Sequence, residues 1–245
     1  MRSVPTFENI PKPSKLEYTL AQLRGLTFEN IKMLFEELTH KPNYEMFYKI
    51  EAINKETIEV TRSTGLKPCH SYVQAFLQQL DYILFHPWGK GPQIGIYDTA
   101  GTVRIMQCAN DIGNYPWSGC QTTMEAGSNN GTFGIVVGTG TNLPKSTDVN
   151  MQTKINNGVG AGQLNHGVTS SPGSGYYGST IDLWWTRMFS NASGGAITLK
   201  EIGMICSGYS TAGALAYFLI LRDAVNFTIN NGEYVLVSFV WRGNC

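Results

Sequence analysis

Apolar residues along this chain recur with two different periods. In the first part they fall three and four apart. Leu16, Leu20 and Leu23 share one helical face, opened by Ser14 and Glu17 at capping-box spacing and closed by Gly25. Thr27 can cap a second helix whose apolar face is Ile31, Leu34, Phe35 and Leu38, ended by Pro42. Ser71 can cap a third, with Val73, Phe76, Leu77, Leu80 and Leu84 on one side and Pro87 as its stop. Between the second and third, Met46 to Ile53 and Thr57 to Arg62 read as a hairpin across Asn54-Lys55-Glu56. There Ile58 and Val60 alternate with Thr57, Glu59 and Thr61. Residues 1–14 carry Pro5, Pro11 and Pro13 and are expected to be an extended arm.

After the rigid segment His86 to Pro92 the pattern changes to short β-type runs, so a domain boundary is expected near residue 93. Ile94 to Tyr97 and Thr102 to Met106 form a hairpin around Asp98-Thr99-Ala100-Gly101. Phe133 to Val137 and Thr180 to Phe189 are strands, and residues 142–180 read as a long polar Gly/Ser-rich loop. The densest stretch is Ile197 to Trp241. Its first strand opens at Ile197, Leu199 and Ile202 and breaks at Gly208 to Gly213. The second, Ala214 to Leu221, is expected to end at the charged pair Arg222 and Asp223. The third, Tyr234 to Trp241, comes after Asn231-Gly232, a dipeptide that readily takes positive φ. The expected fold is mainly β: an antiparallel β-sandwich over 94–245, preceded by a smaller α+β region over 1–93.

Composition sharpens this division. Residues 1–125 hold 12 basic and 13 acidic residues with 8 of the 27 glycines, whereas the remaining 120 residues hold 11 charged residues and 19 glycines. The formal net charge is +0, which argues against a nucleic-acid partner, since that needs clustered excess Lys and Arg. The longest apolar run, Ala214 to Leu221, is less than half of what a membrane helix needs, so no membrane association is expected. No secretory leader is visible at the N-terminus. The cysteines, Cys69, Cys108, Cys120, Cys206 and Cys245, lack regular spacing and contain no C-x-x-C. They read as small hydrophobes of a chain made in a reducing cytoplasm. Asn-x-Ser/Thr triplets at Asn130, Asn191 and Asn226 are no more than chance supplies in so Asn-, Ser- and Thr-rich a chain.

Candidate chemistry is thin. Gly138-Thr139-Gly140-Thr141-Asn142 comes after a strand, where a phosphate loop could sit, but it lacks the Gly-Lys-Ser/Thr ending that supplies charge and a Mg²⁺ ligand. Gly208-Tyr209-Ser210-Thr211-Ala212 approaches a nucleophile elbow with Ala where the second Gly belongs, and the residues after it read as strand rather than helix. His166 could be imagined as a base for Ser210, but a chain so rich in Ser offers such a pair by chance; flanked by Asn165 and Gly167, His166 reads as a loop hydrogen-bonder. Asp98, Asp111, Asp148 and Asp182 are scattered and show no glycosidase pairing. No metal or cofactor is expected, and no enzyme activity. Trp184 and Trp185 are adjacent, so on a strand one faces the core and the other faces out. With Tyr176, Tyr177 and the 165–179 loop they are the candidate contact residues, either for another subunit or for a glycan, whose apolar sugar faces stack on flat rings.

Over roughly the last 150 residues the chain resembles structural proteins of tailed-bacteriophage virions. The residues that carry the resemblance are Asp98 to Thr102, FGIVVGTGT from Phe133, TDVNMQTKI from Thr147, GAGQLNHG from Gly160, FSNASGGAITLKEIGM from Phe189, LILRDAV and FTINNGEYVLVSFVW. The resemblance implies a β-sandwich present in many copies on a particle, in tail, neck or head surface, with no catalytic residues to carry over. The expected partners are copies of itself and other virion structural proteins, with a host surface glycan as the alternative. The expected location is the virion, and a tail or neck position suits a two-part chain with an attachment or decoration region at 1–93.

Overall fold

The computed structural model describes residues 44–70, 72–76, 78, 95–105, 123–170, 172–178, 180–210 and 214–244. The expected arm, the first two helices and the tract holding Asp111, Cys108 and Cys120 lie outside them, as does most of the third helix, of which residues 74–76 and 78 are helical. The strands are β1 (Tyr44–Ile53), β2 (Val60–Ser63), β3 (Lys67–Pro68), β4 (Gly95–Tyr97), β5 (Val103–Ile105), β6 (Gly134–Gly138), β7 (Asn165–Thr169), β8 (Gly173–Tyr177), β9 (Thr180–Ser190), β10 (Ile197–Tyr209), β11 (Leu215–Ile229) and β12 (Tyr234–Asn244).

Mainly β architecture with antiparallel sheets packed in a sandwich-like arrangement agrees with the expected fold class. The larger sheet runs β2-β1-β12-β9-β7. Short β3 continues from β2 along the outer edge of β1, and β8 continues from β7 along the outer edge of β9. The smaller sheet is β11-β10-β6, and β4-β5 form a separate hairpin. That hairpin is tied to β11 by the Thr99 amide donating to the Tyr217 carbonyl at 2.8 Å. One core joins the sheets. Met46, Ile50, Trp185, Phe189, Val237 and Phe239 of the larger sheet pack with Ile135, Ile202, Met204, Phe218 and Leu221 of the smaller.

Three expectations are corrected. The smaller α+β region does not stand apart where it is described, because the large sheet crosses the boundary expected near residue 93. β1 pairs with β12 through all ten residues from Tyr44 opposite Gly243 to Ile53 opposite Tyr234. The physical reason is that apolar β12 needs a ladder partner on each edge: β9 supplies one and β1 the other. Second, the long polar tract is not loop throughout: Asn165–Thr169 and Gly173–Tyr177 are strands. β7 and β8 line the edge of β9, their glycines tolerated because an edge strand packs on one side only. Third, Arg222 and Asp223 do not end the second strand of the C-terminal stretch. β11 buries both of them, on its two opposite faces, and runs on to Ile229.

Asn231-Gly232 makes the expected tight turn, Gly232 at φ 85°. It does not close a hairpin, since β11 and β12 belong to different sheets. The turn is held by the neighbouring end of β9, where the Gly232 amide donates to the Asn191 carbonyl at 2.7 Å. The Asn191 side-chain amide in turn donates to the carbonyls of Gly195 and Ile229, so the Asn191 triplet is a buried turn-former.

Candidate functional site

Buried charge is where chemistry would be sought, and here it is consumed by the fold. Glu201 of β10 and Arg222 of β11 are both buried, paired at 2.7 Å, and Arg222 also meets Asp148 at 2.6 Å. The Glu201 carboxylate accepts the amides of Gly140 at 3.2 Å, Gln152 at 3.0 Å and Thr153 at 2.7 Å. The glycine-rich loop after β6 therefore does bind an anion, but the anion is the chain's own side chain. Its glycines are required by close approach: a Cβ on Gly138 or Gly140 would lie 2.4 or 2.5 Å from the Glu201 carboxylate. This network fastens residues 139–153 over the outside of the small sheet, which is why β10 is buried on both faces.

Arg187 of β9 is fully buried and meets no carboxylate among the described residues. It donates to the carbonyls of Gly167 at 2.9 Å, Phe133 at 3.2 Å, Ile135 at 2.8 Å and Gly127 at 3.4 Å, and to that of Asn130. Burial pushes its pKa down to about 10, so it stays charged at neutral pH. It clamps β6 and the 127–133 turn onto the large sheet. Beside it His166, only 2% exposed, lies edge-on to Phe189 with ring centroids 5.1 Å apart. Neither ring nitrogen makes a well-formed hydrogen bond. Burial first, then the Arg187 charge, push its pKa down to about 4, so it is neutral. Burial and then Arg187 also lower Lys154.

The Ser210–His166 pair is not assembled. Among the described residues neither the His166 nitrogens nor the Ser210 hydroxyl make a well-formed hydrogen bond, and Ser210 leads toward a strand, not a helix. Asp98 caps its own hairpin turn, accepting the Ala100 and Thr102 amides and pairing with Arg104 at 2.7 Å. Burial would raise its carboxyl, but Arg104 and those amides hold it below the usual range. Among the described residues no three His, Cys, Asp or Glu side chains gather as metal ligands. A cleft lined by Gln74, Gln78, Tyr97, Ser146 and Asp148 has about 30 Å³ of space, room for water rather than for a substrate. No helix among the described residues is long and apolar enough to cross a membrane. Of the cysteines, Cys206 is buried in β10, and burial followed by the Asp223 charge drives the Cys69 thiol up, the opposite of an activated nucleophile.

The candidate contact residues divide between two faces. Trp185 is buried in the core opposite Phe239, and Tyr176 lies on that same side of its strand, 74% exposed beyond the core's rim. Trp184 and Tyr177 point the other way, onto the outward face of the large sheet. Gly173 is the register partner of Trp184, and a Cβ there would sit 2.4 Å from the indole nitrogen. A Cβ on Gly175 would sit 2.8 Å from the Tyr177 ring. Each aromatic ring thus lies across a bare glycine of β8. Between them in register is Asp182, paired with Arg242 of β12 through two bonds at 2.8 and 2.7 Å. The Arg242 bonds hold the Asp182 carboxyl below its usual range, against burial. The Arg242 guanidinium in turn sits 5.4 Å over the Phe47 ring of β1.

Asp182, Arg242 and Phe47 escaped sequence reasoning as a group. Only Asp182-x-Trp184 and Gly173-x-Gly175, each placing two residues on one face of a strand, hinted at it; Arg242 and Phe47 come from strands far away in the chain. Comparisons with protein-family models, with curated proteins and with solved structures find no match to this chain.

Proposed function

We propose that this chain is a non-enzymatic structural component of a tailed-bacteriophage virion, assembling in many copies through contacts of its β-sandwich. One observation supports this most. Among the described residues the large sheet leaves two stretches of edge unpaired, β2 with β3 and β8, and both carry large apolar side chains in solvent; β7 is covered, its Thr169 amide donating to the Ala126 carbonyl and its His166 carbonyl accepting the Asn129 amide. Along β2 and β3 and the turns beside them these are Ile58, Val60 and Leu66; along β8 they are Tyr176 and Tyr177. Among the described residues no strand pairs with either outer edge. Unblunted edges are an aggregation hazard in a monomer and a docking surface in an assembly. Two different edges on one subunit suit a head-to-tail contact that repeats. The consumption of the buried charges by loop and turn anchoring agrees with a scaffold rather than a catalyst.

Immunogold electron microscopy of particles, with antibody shown to recognise the native fold, tests the proposal. Gold at a constant position on intact or gently opened particles is the expected result, and the position distinguishes tail, neck and head. Label confined to soluble protein would remove the structural reading.

A further inference from the structure

We infer that the outward face of the large sheet, at its β8 end, is a binding platform for a neutral glycan chain. Trp184 and Tyr177 are the stacking rings, and the Asp182–Arg242 pair is the anchor for sugar hydroxyls. This goes beyond the structural role and does not depend on it.

The rings are the first argument. Both are seated on glycine backbone and face the same way. Tyr177 stays 65% exposed, far more than an aromatic ring placed only to shield an edge. A ring held against backbone has few conformations to lose on binding, which favours affinity. The ion pair is the second. Asp182 is itself 8% exposed and locked by two bonds, while about a third of the Arg242 side chain remains open. Arg242 is held on its other side by Phe47, so its remaining N–H donors and the spare carboxylate lone pairs have fixed directions. Fixed donors and acceptors beside flat apolar surface match a sugar, which has hydroxyls around its rim and C–H groups on its faces.

Charge selects among ligands. Asp182 and Arg242 neutralise each other, the nearby Lys49 is paired with Glu51 at 2.6 Å, and Glu45 is exposed at the margin. Among the described residues no unpaired cation lies on this patch, so an anionic polymer gains nothing there, whereas an uncharged glycan meets no penalty. A second copy of the chain is the competing occupant, and the test separates the two.

The full chain is titrated by calorimetry and by tryptophan fluorescence with neutral hexasaccharides of glucose in α and β linkage, mannose, galactose and N-acetylglucosamine. Sedimentation is measured at the same protein concentrations. Saturable binding of at least one sugar is expected. Trp184→Ala and Tyr177→Ala should each weaken it about tenfold. Arg242→Lys keeps the charge but loses the two-bond geometry and should weaken it several-fold. Tyr176→Ala, on the opposite face, should leave it unchanged. Tyr177→Ala, at an exposed position, keeps the test decisive if Trp184→Ala unfolds. Absence of saturable binding to every sugar overturns the inference, as does binding indifferent to both ring variants. Self-association that Tyr177→Ala abolishes, without sugar binding, assigns the platform to a subunit contact instead.

Discussion

At Arg187 the chain buries a guanidinium whose five partners are all carbonyl oxygens. Carbonyl dipoles can hold such a charge, but they leave no room for a second one, and the ring nitrogens of His166 beside it make no well-formed hydrogen bond among the described residues. The consequence is a definite pH dependence. Above about pH 6.5, the ordinary histidine value, His166 is neutral whether the chain is folded or not, and the stability is complete. Between there and its folded value of about 4 the unfolded chain takes up a proton that the folded one refuses, so stability falls with pH. The loss reaches about 3 kcal/mol and then levels off. His166→Leu should flatten this segment in urea unfolding measured from pH 7 to 4; a variant that loses stability in parallel with the parent would show that other groups set the acid response. Sequence reasoning placed His166 as a loop hydrogen-bonder. It is instead a core residue, because alternation along β7 turns it inward onto Phe189, a pairing that only the register decides.

At the scale of elements, β11 shows how a charged pair becomes interior. Arg222 and Asp223 look like a strand end because charge is costly to bury. Each finds a partner that arrives from elsewhere: Arg222 meets Glu201 and Asp148, and Asp223 accepts the His70 amide at 2.9 Å. Arg222→Met removes the counter-charge of buried Glu201 and should destabilise the protein by about 3–5 kcal/mol in chemical denaturation. A loss below about 1 kcal/mol would mean that the amides of residues 140, 152 and 153 suffice for Glu201. Other elements were legible from periodicity alone. The β4–β5 hairpin, β6, β9, β10 and β12 all coincide with apolar alternation or dense β-branched runs bounded by turns; the β1–β2 hairpin was legible as well, but β2 starts only at Val60, with Ile58 before it at φ 57°. β7 and β8 were not, since Gly, Ser and Asn carry no alternation signal and an edge strand needs only one apolar side.

For the whole molecule, the open edges make the proposed assembly testable apart from folding. Val60→Lys on one edge, or Tyr176→Lys on the other, replaces an exposed side chain and should change stability by no more than about 0.5 kcal/mol. Each should nonetheless stop incorporation into particles, measured by co-sedimentation of the variant with virions, since a charge on an edge opposes strand-to-strand contact. Normal incorporation of both variants would show that assembly uses another surface.

The amino-acid sequence by itself determined the class of this protein. Local periodicity and turn chemistry act over a few residues, and they suffice to assign strands, the Asn231-Gly232 turn and a mainly β sandwich. Tertiary structure alone decided what those strands do together. It carried β1 across the expected boundary to pair with β12, turned the Gly138–Gly140 loop into a cradle for Glu201, and sorted Trp184 with Tyr177 away from Trp185 with Tyr176. The physical reason is that pairing partners and buried counter-charges lie far apart in the chain, and the free energy that selects them exists only once the sheets have met.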